Sequence, residues 1–216
     1  MKKVLGIALI GLLGGAAAAH AQGGLEVRLP MTDGRDRIIQ GTREEIAATA
    51  EKFSEMGDYE QAKICYLRLI ETDPGDVRST LLLGQLYQYK LEKYADAIRL
   101  YKRAERLVPD SDSGKKAFVW RLSAEAYREL AEKTNSLIYF VQAISEYEKI
   151  LDRHDPDDIE VMYNLGTCRL NSRDYAEAIR LFKRIIALSP KNEWGELARK
   201  TLTVTEREAR EHGRPR

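Results

Sequence analysis

Asp58-Tyr59-Glu60-Gln61-Ala62, Lys93-Tyr94-Ala95-Asp96-Ala97 and Asp174-Tyr175-Ala176-Glu177-Ala178 are three copies of one phrase. A fourth alanine, Ala143, keeps the same beat. Each of these alanines stands four residues before an aromatic, namely Tyr66, Tyr101, Tyr147 and Phe182, and each aromatic is followed by a proline, Pro74, Pro109, Pro156 and Pro190. The prolines are 35, 47 and 34 residues apart, so the unit is about 34 residues long with one expanded copy. Upstream of each alanine lies a second helical pattern: Phe53 in the first unit, Leu83-Gly84 with Tyr87 in the second, Trp120 with Ala124 and Tyr127 in the third, and Leu165-Gly166 in the fourth. Small residues let two antiparallel helices approach closely, an aromatic one turn later fills the space between them, and proline ends the second helix. One such pair leaves an apolar face wet, and stacked pairs bury it against their neighbours.

Taken together, these offsets resemble the tetratricopeptide repeat family, whose pattern is Trp-x2-Leu-Gly-x2-Tyr, then Ala-x3-Phe, then Pro. The resemblance covers about Arg43 to Asn192. It departs from the pattern at Thr49-Ala50, which replaces Leu-Gly in the first unit, and at Arg169, where the family places an aromatic. The resemblance implies an all-α, right-handed α-solenoid of about four helix pairs, over residues 43–76, 77–111, 112–158 (the expanded copy) and 159–192. Trp194, Leu197, Ala198 and Leu202 recur at helical spacing and the stretch turns polar by Arg207, as a C-terminal capping helix over 193–212 requires, with a tail at 213–216.

The amino terminus reads as a processing signal. Lys2 and Lys3 precede an uncharged apolar run from Val4 to Ala19, which ends in Ala19-His20-Ala21 before Gln22. Residues 1–21 are therefore expected to be a cleaved signal peptide of bacterial type, placing the chain in the periplasm or outside the cell; the competing reading is an uncleaved anchor. No cysteine follows the run, so a lipoprotein anchor is not expected. Residues 22–42, with four glycines and a proline, are expected to form a flexible leader, although Leu25-Glu26-Val27-Arg28-Leu29 alternates in the manner of one edge strand.

Composition and motifs then remove function classes. Lys+Arg 35 nearly cancel Asp+Glu 34, so no basic stripe serves a phosphate backbone, and most of the 11 tyrosines fall in recurrent repeat slots. Only Tyr89, Tyr139 and Tyr163 stand outside those slots, and no nucleic-acid partner is expected. Gly114-Lys115-Lys116 lacks the upstream glycine of a phosphate loop, and neither Gly-x-Ser-x-Gly nor His-Glu-x-x-His occurs. Asp152, Asp155, Asp157 and Asp158 beside His154 do not match a calcium loop and sit where aspartate caps the next helix. Cys65 and Cys168 belong to units that do not touch in a solenoid, so two buried thiols are expected rather than a disulfide. No catalytic residues, no cofactor and no metal are expected. The third unit adds roughly two helical turns, including Leu137, Ile138, Tyr139 and Phe140, which pack on the lengthened pair itself or protrude to dock a partner.

The family binds along the first helix of each pair, and the resemblance lets that concave face be assigned. The candidate partner-binding residues are Arg78, Leu81, Gln85 and Tyr89 in the second unit, Phe118, Arg121, Glu125 and Arg128 in the third, and Tyr163, Asn164 and Thr167 in the fourth. Leu81, Tyr89, Phe118 and Tyr163 supply apolar anchors and Arg78, Arg121 and Arg128 positive charge, a surface suited to a peptide with acidic and apolar residues. Loss of the Tyr163 ring is expected to leave stability nearly unchanged. The family's carboxylate clamp requires Lys and Asn where Ala47 and Glu51 stand, so a heat-shock co-chaperone role is not expected. The favoured function is an exported, non-enzymatic scaffold that binds a protein or peptide partner in envelope assembly or secretion, without stable membrane insertion once the signal is removed. The competing readings are a structural, self-assembling envelope module, and an enzyme or ligand-binding protein built around Glu125 with Arg121 and Arg128.

Overall fold

A computed structural model describes residues 24–31 and 35–212, so the expectations for the signal at 1–21 and the tail at 213–216 lie outside the described residues. The elements are β1 (Leu25–Pro30), β2 (Asp36–Gly41), α1 (Arg43–Met56), α2 (Tyr59–Thr72), α3 (Val77–Tyr89), α4 (Tyr94–Leu107), α5 (Ser113–Thr134), α6 (Leu137–Arg153), α7 (Ile159–Asn171), α8 (Tyr175–Leu188) and α9 (Glu193–His212). The fold is an all-α helical repeat with one small hairpin at its start. It divides into two compact units, one ending at Ser79 and one beginning at Thr80.

In the first unit, α1 and α2 form an antiparallel pair with Ile46, Ala50, Ala62, Tyr66 and Leu69 buried between them. Thr42 starts α1 through a capping box with Glu45, which satisfies two of the first-turn groups. The flexible-leader expectation is corrected over Leu25–Pro30 and Asp36–Gly41. Leu25–Pro30 and Asp36–Gly41 pair as an antiparallel hairpin, and Val27 and Leu29 are 2% and 1% exposed. The alternation in Leu25–Leu29 was therefore a strand with one buried face, as period two dictates. The sequence of its partner strand does not alternate in the same way, because Ile38 and Ile39 are adjacent.

In the second unit, the repeat phrase does what its spacing requires. Ala97 and Tyr101 on α4 are fully buried, and the Tyr101 ring lies so close to Gly84 on α3 that a Cβ there would stand 2.5 Å from Cε1. The same contact recurs between Gly166 on α7 and Phe182 on α8, where a Cβ would stand 2.8 Å from the ring. Trp194 and Leu202 of α9 pack against the core shared by α7 and α8, and Ala198 is buried within it. Leu197, counted with that stripe in the sequence, is instead 37% exposed.

The expanded pair consists of α5, with 22 residues, and α6, with 17, beside neighbours of 13 or 14. The extension closes partly on itself: Tyr127 stacks on Tyr139 with centroids 6.5 Å apart, and Ala131 and Phe140 are buried. Leu137, Ile138 and Val141 at the start of α6 stay exposed. A charged network ties this pair to α4. Glu105 accepts from Trp120 Nε1 at 2.6 Å and from Lys102 Nζ at 2.8 Å, and buried Glu146 pairs with Lys102 and Lys149. Although burial acts against it, these donors and cations hold the Glu105 carboxyl down to about 2, so Glu105 is charged at neutral pH.

Gly84→Ala is expected to destabilise the protein by about 1–3 kcal/mol, because Tyr101 is buried and cannot withdraw. This is the reverse of the gain of about 1 kcal/mol that alanine gives in an open helix. Thermal unfolding, run beside Gly166→Ala, measures it.

Candidate functional site

Within the second unit the first helices α3, α5 and α7, and then α9, are joined in sequence by polar side chains. From α3, Tyr89 donates its hydroxyl to Glu125 Oε2 of α5 at 2.9 Å, and Gln88 donates Nε2 to Glu129 Oε2 at 3.0 Å. Gln88 is 1% exposed and also accepts from the Tyr101 hydroxyl at 2.8 Å, so one amide links the helix-pair core to the next repeat. From α5, Arg121 pairs with Asp158 at 2.6 Å and with Glu160 at 3.4 Å. Asp158 is itself the N-cap of α7, so Arg121 grips a helix start whose dipole already favours the carboxylate. From α7, the Tyr163 hydroxyl meets Thr201 of α9 at 3.0 Å, and its ring lies between Phe182 and Trp194, with centroids at 5.7 and 5.6 Å.

These positions correct several of the residues assigned to an open binding face. Leu81 is 4% exposed and belongs to the core. Tyr163 is a packing residue of the α7–α8–α9 core, because the capping helix brings Trp194 onto it. Arg121 is occupied by two carboxylates and does not offer a free positive charge. Arg78 lies in the first unit, where it pairs with Glu51 of α1 at 2.8 Å. Gln85, Phe118 and Asn164 are partly exposed, and Thr167 donates to the Tyr163 carbonyl at 3.0 Å. Tyr89 remains 48% exposed.

The electrostatics of the α5 face differ from the sequence expectation in sign. Around Arg121 and Arg128 stand Glu125, Glu129 and Glu132 of α5 with Asp158 and Glu160 at the start of α7. Arg128 is committed to Glu132 at 2.8 Å. Burial raises the Glu125 carboxyl above the ordinary range, Glu160 adds to this, and the Tyr89 hydroxyl with Arg121 and Arg128 only partly offsets it. Burial likewise raises Glu129, with Glu125 and Glu132 as like-charge neighbours. The spacing 125, 129, 132 places all three on one helical face, so this row was legible in the sequence, but its dominance over the arginines was not. An acidic, half-buried row of this kind receives cations and hydrogen-bond donors better than carboxylates.

Two aspartates of the acidic cluster beside His154 have structural partners. Asp157 pairs with Arg184 at 2.7 Å, and Asp155 caps the Asp157 amide at 3.0 Å. Among the described residues no group of three His, Cys, Asp or Glu side chains converges as metal ligands. Cys65 and Cys168 are buried free thiols, pushed by desolvation to about 11 and about 12, so neither is an activated nucleophile at neutral pH. Among the described residues no helix is long and apolar enough to cross a membrane.

Two outcomes follow from this geometry. Tyr163→Ala is expected to lower stability by about 2–3 kcal/mol in denaturant unfolding, because it opens a cavity between Phe182 and Trp194. Glu129→Gln keeps an acceptor for Gln88 while removing a desolvated charge, so it is expected to raise stability by roughly 0.5 kcal/mol at neutral pH. A carboxylate with a raised folded pKa opposes folding above that pKa and ceases to do so below it. The gain should therefore shrink as pH falls through the raised value toward the ordinary 4.5, which melting curves across that window would record.

Comparison with known proteins accords with this architecture. The tetratricopeptide repeat profile matches residues 48–112 and 140–193, more than half of the chain. No curated protein matches it by sequence. Among solved structures, a tetratricopeptide repeat protein from Parabacteroides merdae is 20% identical with a TM-score of 0.62, covering 78% of this chain and 62% of its own. PilW, a type IV pilus biogenesis factor, is 21% identical with a TM-score of 0.54, covering 79% and 71%. A MamA protein is 20% identical with a TM-score of 0.53, covering 78% and 86%. These likenesses are likenesses of fold, and with the profile match over the alanine–aromatic–proline units they show that the chain belongs to the tetratricopeptide repeat family.

Proposed function

We propose that this protein is an exported, non-enzymatic scaffold, and that the α5 face of its second unit receives a partner segment carrying a lysine or arginine flanked by apolar residues. Tetratricopeptide repeat proteins generally mediate protein–protein interactions, which sets the broad role. The observation that carries the finer reading is the row Glu125, Glu129 and Glu132, of which Glu125 and Glu129 are partly desolvated, and which together with Asp158 and Glu160 outnumbers the nearby Arg121 and Arg128. A basic side chain placed there relieves like-charge repulsion, while the half-exposed Tyr89 ring and Phe118 offer apolar contact beside it. The acidic peptide suggested by the arginines alone is disfavoured, because Arg121 and Arg128 already hold carboxylates. The small-residue cleavage pattern at Ala19-His20-Ala21 supports an envelope or secreted setting, and the pilus-biogenesis role named for PilW is compatible with a part in envelope assembly.

Fluorescence anisotropy of the purified protein with two labelled peptides of equal length and apolar content, one lysine- and arginine-bearing and one aspartate- and glutamate-bearing, tests this reading. The basic peptide is expected to bind with a salt-dependent affinity, and Glu125→Gln with Glu129→Gln to weaken it about tenfold, the equivalent of roughly 1.4 kcal/mol. Equal binding of both peptides, or binding unchanged in a folded double variant, would overturn it.

A further inference from the structure

The amino-terminal hairpin has one covered edge and one open edge. The Met31 amide donates to the Arg35 carbonyl at 2.9 Å in the register that pairs Leu29 with Arg37 and Val27 with Ile39. In an antiparallel ladder each residue turns both its N–H and C=O to the same side, alternately inward and outward. The odd-numbered residues therefore bond across the hairpin, and the even-numbered residues face its two edges. On β1 two of the outward carbonyls are occupied from α2: Gln61 Nε2 donates to the Pro30 carbonyl and Arg68 Nε to the Glu26 carbonyl, each at 3.2 Å. On β2 the outward groups belong to Asp36, Ile38 and Gln40. Among the described residues nothing bonds to the main chain of Ile38 or Gln40 on that side. The Ile38 side chain is 53% exposed, and β2 carries neither proline nor a bulge, its only charges being Asp36 and Arg37 at its start.

We propose that β2 pairs antiparallel with β2 of a second copy of this chain about a two-fold axis through Ile38, forming one four-stranded sheet ordered β1-β2-β2-β1. An open ladder accepts only another extended chain, and the sequence selects this register. Centred on Ile38, the strand sets Ile38 against Ile38, Asp36 against Gln40 and Arg37 against Ile39, with Arg28, the cross-strand neighbour of Ile38, flanking the apolar contact from each copy. Centred on Arg37, it would oppose two guanidinium groups, which destabilises a pair. Centred on Ile39, it would set Asp36 against Thr42, already committed as the N-cap of α1. Pairing also leaves only the two β1 edges at the ends of the sheet, where α2 side chains already hold the Glu26 and Pro30 carbonyls, which favours closure at two copies. A foreign strand would cover the same edge without this self-matching. So short a strand pair buries less than a standard interface, and the dimer is concentration-dependent. The inference is independent of the α5 face.

Cysteine cross-linking of the purified protein tests it. Residues facing each other in a hydrogen-bonded antiparallel pair have Cα atoms about 5.5 Å apart, within disulfide reach. Under mild oxidant Ile38→Cys is expected to give a covalent dimer as its main product and Arg37→Cys to give none, while the buried Cys65 and Cys168 do not compete. In sedimentation velocity the unsubstituted protein should gain mass with concentration, and Ile38→Lys should remain monomeric with unchanged helical circular dichroism. Cross-linking of Ile38→Cys no faster than Arg37→Cys would overturn the proposal. A dimer that survives Ile38→Lys would overturn it as well, and so would an edge that pairs with an added foreign strand but never with itself.

Discussion

The clearance between a glycine on one helix and an aromatic ring on its partner sets the geometry of this protein. At Gly84 with Tyr101 and at Gly166 with Phe182 there is no room for a single methyl group. Two helices held that closely bury alanines such as Ala97 and Ala178 completely, and interior packing at this density tolerates little change of volume. Because each pair is held at a fixed separation, side chains at its surface arrive at repeatable heights opposite those of the next pair. The polar bridges from α3 to α5 and from α5 to α7 depend on that repetition.

Those bridges explain why so few of the inner-face residues are free. Tyr89, Gln88, Arg121 and Tyr163 each reach from one first helix to the next, or to α9. A repeat protein has only nearest-neighbour contacts to hold its stack together, and polar residues at the joints serve that purpose. Arg121 on the N-cap of α7 combines a partly buried ion pair with a favourable helix dipole, whereas an exposed pair such as Arg180 with Glu177 contributes little. What the stack leaves unbalanced is the carboxylate row on α5. Burial holds Glu125 and Glu129 there at some cost to folding.

The two irregular features have a common physical origin in unmatched lengths. The pair α5–α6 outruns its neighbours, so the surplus must fold on itself, which the Tyr127–Tyr139 stack and buried Phe140 achieve while Ile138 stays in water. The hairpin before α1 covers part of the first pair, much as α9 covers the last, with Val27 and Leu29 as its buried face. α9 ends its stack in charged residues. Among the described residues the β2 edge of the hairpin has no main-chain partner at Ile38 or Gln40.

Much of the fold was legible in the sequence, because its signals are local. The alanine–aromatic–proline beat needs only residues within one unit, and helix starts such as Thr42 with Glu45 need only four. The strand in Leu25–Leu29 was visible as alternation, but its pairing with Asp36–Gly41 was not, since register depends on a partner segment and on the helices beneath. The site was less legible for the same reason. Sequence places Arg121, Leu81 and Tyr163 on a first helix. Only tertiary contact decides that Arg121 meets Asp158, that Leu81 turns into the core, and that Trp194 closes over Tyr163. Spacing along the chain fixed which residues share a helix face, whereas the sign and accessibility of that face were set by groups brought from dozens of residues away.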